Sequence, residues 1–318
     1  MKQSTKSPLC QLAKKGISFV DKLVNLGVAL LLLLMVSYGT YSIYDSRQAL
    51  NAAQETQYQT YKPETKDTTS FQELVNVNPD VLGWLNVYGT HIDYPLLQGE
   101  SNETYLNTDP LGKYQLSGSI FLDYRNNKNF TDFNTIIYGH HMAKSAMFGD
   151  LDKFNKETFF DNHKYGNLYF DGSNHGVEFF AFINADAFDS TIYQAPATDN
   201  QDYLNHLKEQ AKYYRDISVS SKDRIVVLST CTSDYTNGRH VLVGRITDQE
   251  IPIPEELKSE VRRANSNFST KVADLIGTLT YTSMRRIILF VVGFILLFIW
   301  YLLLVVKRKK QEERADRD

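Results

Sequence analysis

The sequence predicts a mainly β domain, an antiparallel barrel or sandwich with added helices, flanked by an N-terminal and a C-terminal transmembrane helix. Three observations predict it. Two long, uncharged apolar runs lie near the two ends of a 318-residue chain. Between them, short segments rich in aromatic and β-branched residues are separated by Gly, Asn and Asp clusters, the pattern of strands joined by tight turns. Two stretches in the same interval carry apolar residues at helical spacing instead.

Charge places the ends. Residues 1–22 carry Lys2, Lys6, Lys14, Lys15 and Lys22 ahead of the apolar run 23–44. Residues 307–318 carry Lys307, Arg308, Lys309, Lys310, Arg314 and Arg317 behind the apolar run 287–306. Each run has the roughly 20 residues a spanning helix needs. Lys and Arg stay on the cytoplasmic side, so both termini are expected inside the cell and the interval between the runs outside it. Arg285 and Arg286 stand on the other side and are outnumbered by the tail. The first run is longer than a signal-peptide core and no A-x-A site follows it, so it reads as a retained anchor. Asp and Glu outnumber Lys and Arg between the anchors, which argues against nucleic acid as a partner.

Residues 45–69 are polar, without a sustained apolar period, and read as an extracellular stalk. At Ser70 the spacing "SFQE" fits a capping box and opens a short helix. Strands are expected in "WLNVYGTHIDYPLL", "GSIFLDY", "NTIIYGHH", "GNLYFDG", "VEFFAFINADAF", "RIVVLSTC" and "RHVLVGRI". One helix is expected from Ser145 to His163. Another, in "DNQDYLNHLKEQAKYYR", places Leu204, Leu207, Ala211 and Tyr214 on one face. Residues 251–286 form a charged linker to the second apolar run. No internal repeat or Gly-rich phosphate loop is present.

The chain has two cysteines. Cys10 precedes the first anchor and Cys231 follows it, so a membrane separates them and they do not pair. A lone extracellular thiol is either a buried small hydrophobe or a nucleophile. A nucleophile needs a partner that favours its thiolate and a group that stabilises the oxyanion. Of His91, His140, His141, His163, His175, His206 and His240, most stand in polar, turn-like surroundings or on the outer side of a helix. His140 and His141 instead end the apolar strand "NTIIYG". Neighbouring strand side chains point opposite ways, so one of the two faces the cysteine, and alternation does not choose between them. Arg239 opens the strand after Cys231; a hairpin would return its planar fork of donors to the sulfur. His240 falls on the opposite face from Arg239 and receives no role.

"NTIIYGHHM…MFGDL", then "VVLSTC", then Arg eight residues on in "NGRHVLVGRI", resembles the sortase family of cysteine transpeptidases. "GSIFLDYRNN" and "IDYPLLQGESNETYL" are similar to class B members. The resemblance implies an eight-stranded sortase β-barrel over residues 70–250 with His140, Cys231 and Arg239 as catalytic trio, the histidine directly after the glycine being the one used. It also implies Ser229, Asn102 and Leu106 as substrate contacts. Val227 stands where the family's "TLSTC" motif has Thr. The implied reaction is transfer of an acyl group, from an LPXTG-like sorting signal on a surface protein or pilin, through a Cys231 thioester to an amine. No metal or organic cofactor is required. The second anchor resembles pilus-building enzymes and favours a pilin lysine as acceptor over a peptidoglycan cross-bridge, although no "DPW" or "DPF" lid precedes the core and "DPL" at 109–111 is a weak match. A papain-like peptidase would place its histidine after the cysteine. A receptor or adhesin ectodomain would leave the Gly-His, Thr-Cys and Arg placements without a purpose.

Overall fold

The computed structural model describes residues 8–63, 68–232 and 236–258. The chain divides into Met1–Ile253 and Pro254–Asp318; the described part of the second unit is 254–258, ending in one helical turn. The expected second transmembrane segment, 287–306, the tail, 307–318, and the linker beyond 258 lie outside the described residues.

Helix α1 runs Pro8–Ala52. Its apolar side chains are exposed on every face from Ile17 to Tyr44, and among the described residues it is the one helix long and apolar enough to cross a bilayer. The segment read as a stalk does not stand free after Ala52. Ala53 and Tyr58 are buried, Tyr94 donates its hydroxyl to the Ala53 carbonyl at 2.9 Å, and Gln59 and Lys62 reach the Asp93 carboxylate at 3.1 and 2.6 Å. Two apolar side chains in a polar run suffice to dock it. Helix α2, Thr69–Val77, buries Phe71 and Leu74; Thr68 occupies the N-cap position and Ser70 lies in the first turn, so the capping box does not mark the start.

Nine strands follow: β1 Val81–Val87, β2 Asp93–Leu97, β3 Ile120–Leu122, β4 Asn134–Tyr138, β5 Tyr165–Phe170, β6 Ser173–Asp186, β7 Ala211–Tyr214, β8 Arg224–Cys231 and β9 Gly238–Ile246. Their order is β5-β1-β2-β3-β4-β8-β9-β6-β7, and β5 also pairs with β6. Eight strands therefore close into a barrel, which removes the open edges a sheet would expose. β7 is an addition, paired to the later half of β6 once β5 has ended. The barrel is mixed, not antiparallel: β2–β3 and β4–β8 run parallel. Both pairs are joined by long connections rather than hairpins, as parallel pairing demands.

The barrel interior holds Leu85, Phe179, Phe182, Val226, Leu228 and Leu242. A second apolar layer covers the outer face of the same strands, where helix α4, Asn200–Gln210, sets Tyr203 and Leu207 against Ile225, Val227, Val241 and Val243. Strands buried on both faces lose the inside–outside alternation, hence the unbroken apolar run in β8. The Asp199 carboxylate caps α4 on the Gln201 and Asp202 amides. The helix ends at Gln210, four residues before the spacing suggested, because Ala211–Tyr214 gains a backbone partner in β6. The helix expected over 145–163 is broken as well. Lys144, Ser145 and Met147 have φ of 57°, 63° and 54°, a 3-10 run covers Gly149–Asn155, and α3 covers only Glu157–Asn162.

Asp150, fully buried, accepts from the His91 amide and ring at 2.9 Å each and pairs with Lys153 at 2.8 Å. Burial alone would raise its carboxyl, but the His91 and Lys153 hydrogen bonds outweigh it and hold the group well below the usual carboxylate range. The same contact raises His91. The Asp150 contribution is thus present above about pH 4 and lost as pH falls toward its folded value; the His91 contribution is present below about pH 6.5 and lost as pH rises through its raised folded value. Asp150→Asn should lower unfolding free energy at pH 7 by about 1.5–3 kcal/mol and flatten the acid limb. Parallel stability–pH curves for the two proteins between about pH 5 and 2 would disprove this.

Candidate active site

Strand register brings the three expected catalytic residues to one end of the barrel. β4 pairs parallel with β8, Tyr138 opposite Ser229, and the Gly139 amide donates to the Ser229 carbonyl at 3.2 Å. The alignment thus continues past the strand, and His140 falls level with Cys231. On the other side β9 runs antiparallel with Arg239 opposite Cys231. The Thr232 amide donates to the Gly238 carbonyl at 3.0 Å, so the next pair along is the hydrogen-bonded type. Cys231 and Arg239 form the other type, in which side chains on one face approach most closely. Ile136, Val227 and Val241 all lie in the outer apolar layer; residues an even number away on each strand, His140, Cys231 and Arg239, share that face. The sulfur stands in the middle, between an imidazole strand and a guanidinium strand.

Cys231 is exposed, which removes the buried-hydrophobe reading. His140 is half-buried, and its Nε2 lies 2.8 Å from the Leu106 carbonyl. A carbonyl only accepts, so Nε2 carries the proton and Nδ1 is the nitrogen left for exchange. Arg239 Nη1 donates to the Gly238 carbonyl at 3.0 Å. His141 turns the other way, to Asp152. The remaining histidines are not uniformly solvated: His163 is buried and stacks on Phe159 at 3.6 Å, His175 stacks on Phe170 at 3.9 Å, and His206 pairs with Asp189.

Beside the sulfur, buried Ser229 shares a hydrogen bond of 2.9 Å with the Tyr193 hydroxyl, and Tyr193 stacks on Tyr138. Asn102 donates to Asp123 Oδ2 at 3.0 Å and accepts from the Tyr124 amide at 3.0 Å, which leaves one amide N–H outside these bonds. Asp123 also holds the Arg125 guanidinium in a two-point grip at 2.9 and 2.7 Å, and the Tyr138 hydroxyl at 3.0 Å. Burial would raise the Asp123 carboxyl; the Arg125 fork and the Asn102 amide outweigh burial and lower it. Leu106 is partly exposed at the rim and touches the site through its carbonyl. Sequence reasoning missed Tyr138, Tyr193, Asp123 and Arg125. "LDYR", an acid and a base two apart directly after a strand, was the available signal for the last two. Among the described residues no group of three His, Cys, Asp or Glu side chains is arranged to hold a metal ion.

No protein-family model matches the chain, but individual relatives do. Sortase B of Listeria monocytogenes is 40% identical over 179 residues, which cover 55% of this chain and 73% of that one. The crystal structure of sortase B from the type II pilus of Streptococcus pneumoniae is 49% identical, covers 56% of this chain and 99% of that one, and has a TM-score of 0.50. A Streptococcus pyogenes class B sortase involved in pilus biogenesis is 44% identical over 56% of this chain and 98% of that one, with a TM-score of 0.53.

Gly139 links the end of β4 to His140. A Cβ there would lie 2.5 Å from Ile120 Cδ1 and 2.8 Å from the Phe148 ring, both fully or nearly fully buried. Gly139→Ala should therefore cost about 1–3 kcal/mol in thermal or denaturant unfolding and slow Cys231-dependent turnover beyond the loss of folded protein. Unchanged turnover would show that this link has slack.

Proposed function

The chain belongs to the sortase family of cysteine transpeptidases, with a class B core, and on that premise we propose that Cys231 is its nucleophile, His140 its proton carrier and Arg239 its oxyanion clamp. The observation that carries the assignment is the adjacency of β4, β8 and β9, with Arg239 paired opposite Cys231 and His140 two residues beyond Tyr138, which pairs with Ser229. The Cys231 thiolate attacks the Thr carbonyl carbon of an LPXTG-like sorting signal, forming a C–S bond and placing negative charge on the oxygen. Arg239 offers donors to that oxygen. The tetrahedral adduct collapses by breaking the C–N bond as His140, in its imidazolium form, gives a proton to the departing amine. A thioester remains. The incoming amine attacks it and loses a proton to the now neutral His140; the C–S bond breaks and returns the thiolate. One amide is exchanged for another, with no net redox change and no cofactor in the balance. Ser229, Asn102 and Leu106 line the approach to the sulfur as substrate contacts, Asn102 through its remaining amide N–H.

For the acceptor we infer a pilin lysine. Two of the solved relatives, at 49% and 44% identity, are pilus enzymes by their own titles, and the uncharged apolar run 287–306, outside the described residues, has the sequence length expected of a second anchor. The proposed substrate side is extracellular, and the partner a sorting-signal-bearing pilin.

Cys231→Ala should abolish transfer, His140→Ala should lower it about 10²- to 10⁴-fold, and Arg239→Lys about 10²- to 10³-fold, because an ammonium does not reproduce the fork. His141→Ala should lose far less than His140→Ala. A Cys231→Ala chain that still transfers would return the chain to the receptor or adhesin reading. Near-normal kinetics in Arg239→Lys would remove the oxyanion role.

Mass spectrometry of the cross-linked product from cells expressing the full chain should find the Thr carbonyl joined to a pilin lysine Nζ. A peptidoglycan cross-bridge amine at that position would replace pilus building with wall anchoring.

A further inference from the structure

Two histidines that the proposed chemistry does not use meet on one carboxylate. His141 Nε2 lies 2.6 Å from Asp152 Oδ2, and His240 Nδ1 lies 2.8 Å from Asp152 Oδ1. An ionised carboxylate only accepts, so both rings donate to it. His141 directly follows His140, and His240 directly follows Arg239. Successive side chains on a strand point to opposite faces. Asp152 therefore ties together, from the far face, the two backbone segments that present the imidazole and the guanidinium on the near face. His240 is 1% exposed and the Asp152 side chain 45% exposed, so the bridge joins a buried ring to a carboxylate that also meets solvent, through a charge-assisted hydrogen bond that solvent partly screens.

The carboxylate is itself held firmly. It projects from the 3-10 run Gly149–Asn155, in which Asp150, Leu151 and Phe154 are buried. Phe154 packs on Phe179 and Phe182 of β6. At the far end of the run, the Asn155 carbonyl accepts from Lys212 Nζ at 3.0 Å and from the Tyr213 hydroxyl at 3.1 Å, both on β7. At the near end the Phe148 amide donates to the carbonyl of His140 itself at 3.0 Å, and His141 bridges Met147. The connection between, with left-handed backbone at Lys144, Ser145 and Met147, has a shape that non-glycine residues keep only when their surroundings enforce it.

We infer that Asp152 is a positioning residue for the transfer reaction: by bridging His141 and His240 it keeps the end of β4 and the start of β9 at the separation at which His140 and Arg239 flank Cys231. The inference rests on the catalytic reading of those three residues. It gives "MFGDL", residues 147–151, which the chemistry left unused, a purpose: the motif leads the chain to Asp152, the next residue, which faces the two histidines.

The test uses the full chain in detergent, an LPXTG-type pentapeptide as donor and a small primary amine as acceptor. Asp152→Ala should lower kcat about 10- to 100-fold, the scale of a misplacement near 1 Å, with KM within about twofold. Its circular dichroism and thermal melt should stay close to those of the parent, which shows that the protein counted is folded. Asp152→Asn, which keeps the shape but only one of the two acceptor oxygens, should hold one ring and not the other and recover only part of kcat. Combining Asp152→Ala with His141→Ala should cost no more than the worse single change, since both break one bridge. A kcat for Asp152→Ala within about twofold of the parent, an Asn variant as fast as the parent, or fully additive losses would each overturn the inference. Cys231→Ala run alongside separates the two readings: if it is dead while Asp152→Ala is normal, only the positioning role falls, and if it is active, the catalytic assignment itself falls.

Discussion

The relative register of β4, β8 and β9 is the constraint on which the site depends. A strand's side chains alternate between faces, so a slip of one residue in either pairing would turn the imidazole or the guanidinium away from the sulfur. Such a slip is resisted by packing on both sides at once. Val226 and Leu228 face the barrel interior while Ile225 and Val227 face the layer under α4, and all four are fully buried. Moving β8 by one residue would exchange two differently shaped apolar surfaces and carry Ser229 or Thr230 into positions built for aliphatic groups. The catalytic geometry is thus enforced by hydrophobic burial several residues away from any reacting atom.

A second layer of order comes from carboxylates rather than from apolar packing. Asp123 and Asp150 have fully buried side chains, and a buried carboxylate is destabilising unless donors surround it. Each is surrounded: Asp123 by Arg125, Asn102 and Tyr138, Asp150 by His91 and Lys153. Every donor set mixes groups from a barrel strand or its end with groups from a loop. Losing a donor would strand charge in the interior, so the loops are held to the barrel more tightly than their polar composition suggests. Loops carry Asn102 and Asp123 of the site, yet these loops have few ways to rearrange.

Most of the strands were legible in the sequence, because aromatic and β-branched segments bounded by Gly and Asn have few other stable conformations, and the cysteine-to-arginine spacing around "TSDYTNG" described the β8–β9 hairpin directly. The choice between His140 and His141 was not legible from alternation. It depends on which residue of β4 stands beside Ser229, a pairing between segments about ninety residues apart that no local pattern encodes. The end of α4 was misread because Ala211 and Tyr214 continue a helical stripe, and the competing strand partner in β6 is invisible locally. Residues 145–163 were misread for a similar reason: the apolar spacing is there, but the backbone is set by hydrogen bonds to His140 and Asp150. His163 has polar neighbours in sequence and an aromatic one in space.

The mixed topology is more than a departure from an antiparallel expectation. An antiparallel pair can be joined by two residues, whereas a parallel pair needs a crossover long enough to travel the length of the barrel and return. β2–β3 and β4–β8 are parallel pairs, and the segments that join them, residues 98–119 and 139–223, the second passing through β5, β6 and β7, supply several of the groups around the sulfur. Asn102 and Leu106 lie in the first; Asp152 and Tyr193 lie in the second. Loops that must exist for topological reasons are free to carry recognition while the strands hold the chemistry still. A barrel made only of hairpins could align His140, Cys231 and Arg239 equally well, but it would offer no walls within which a peptide could be bound.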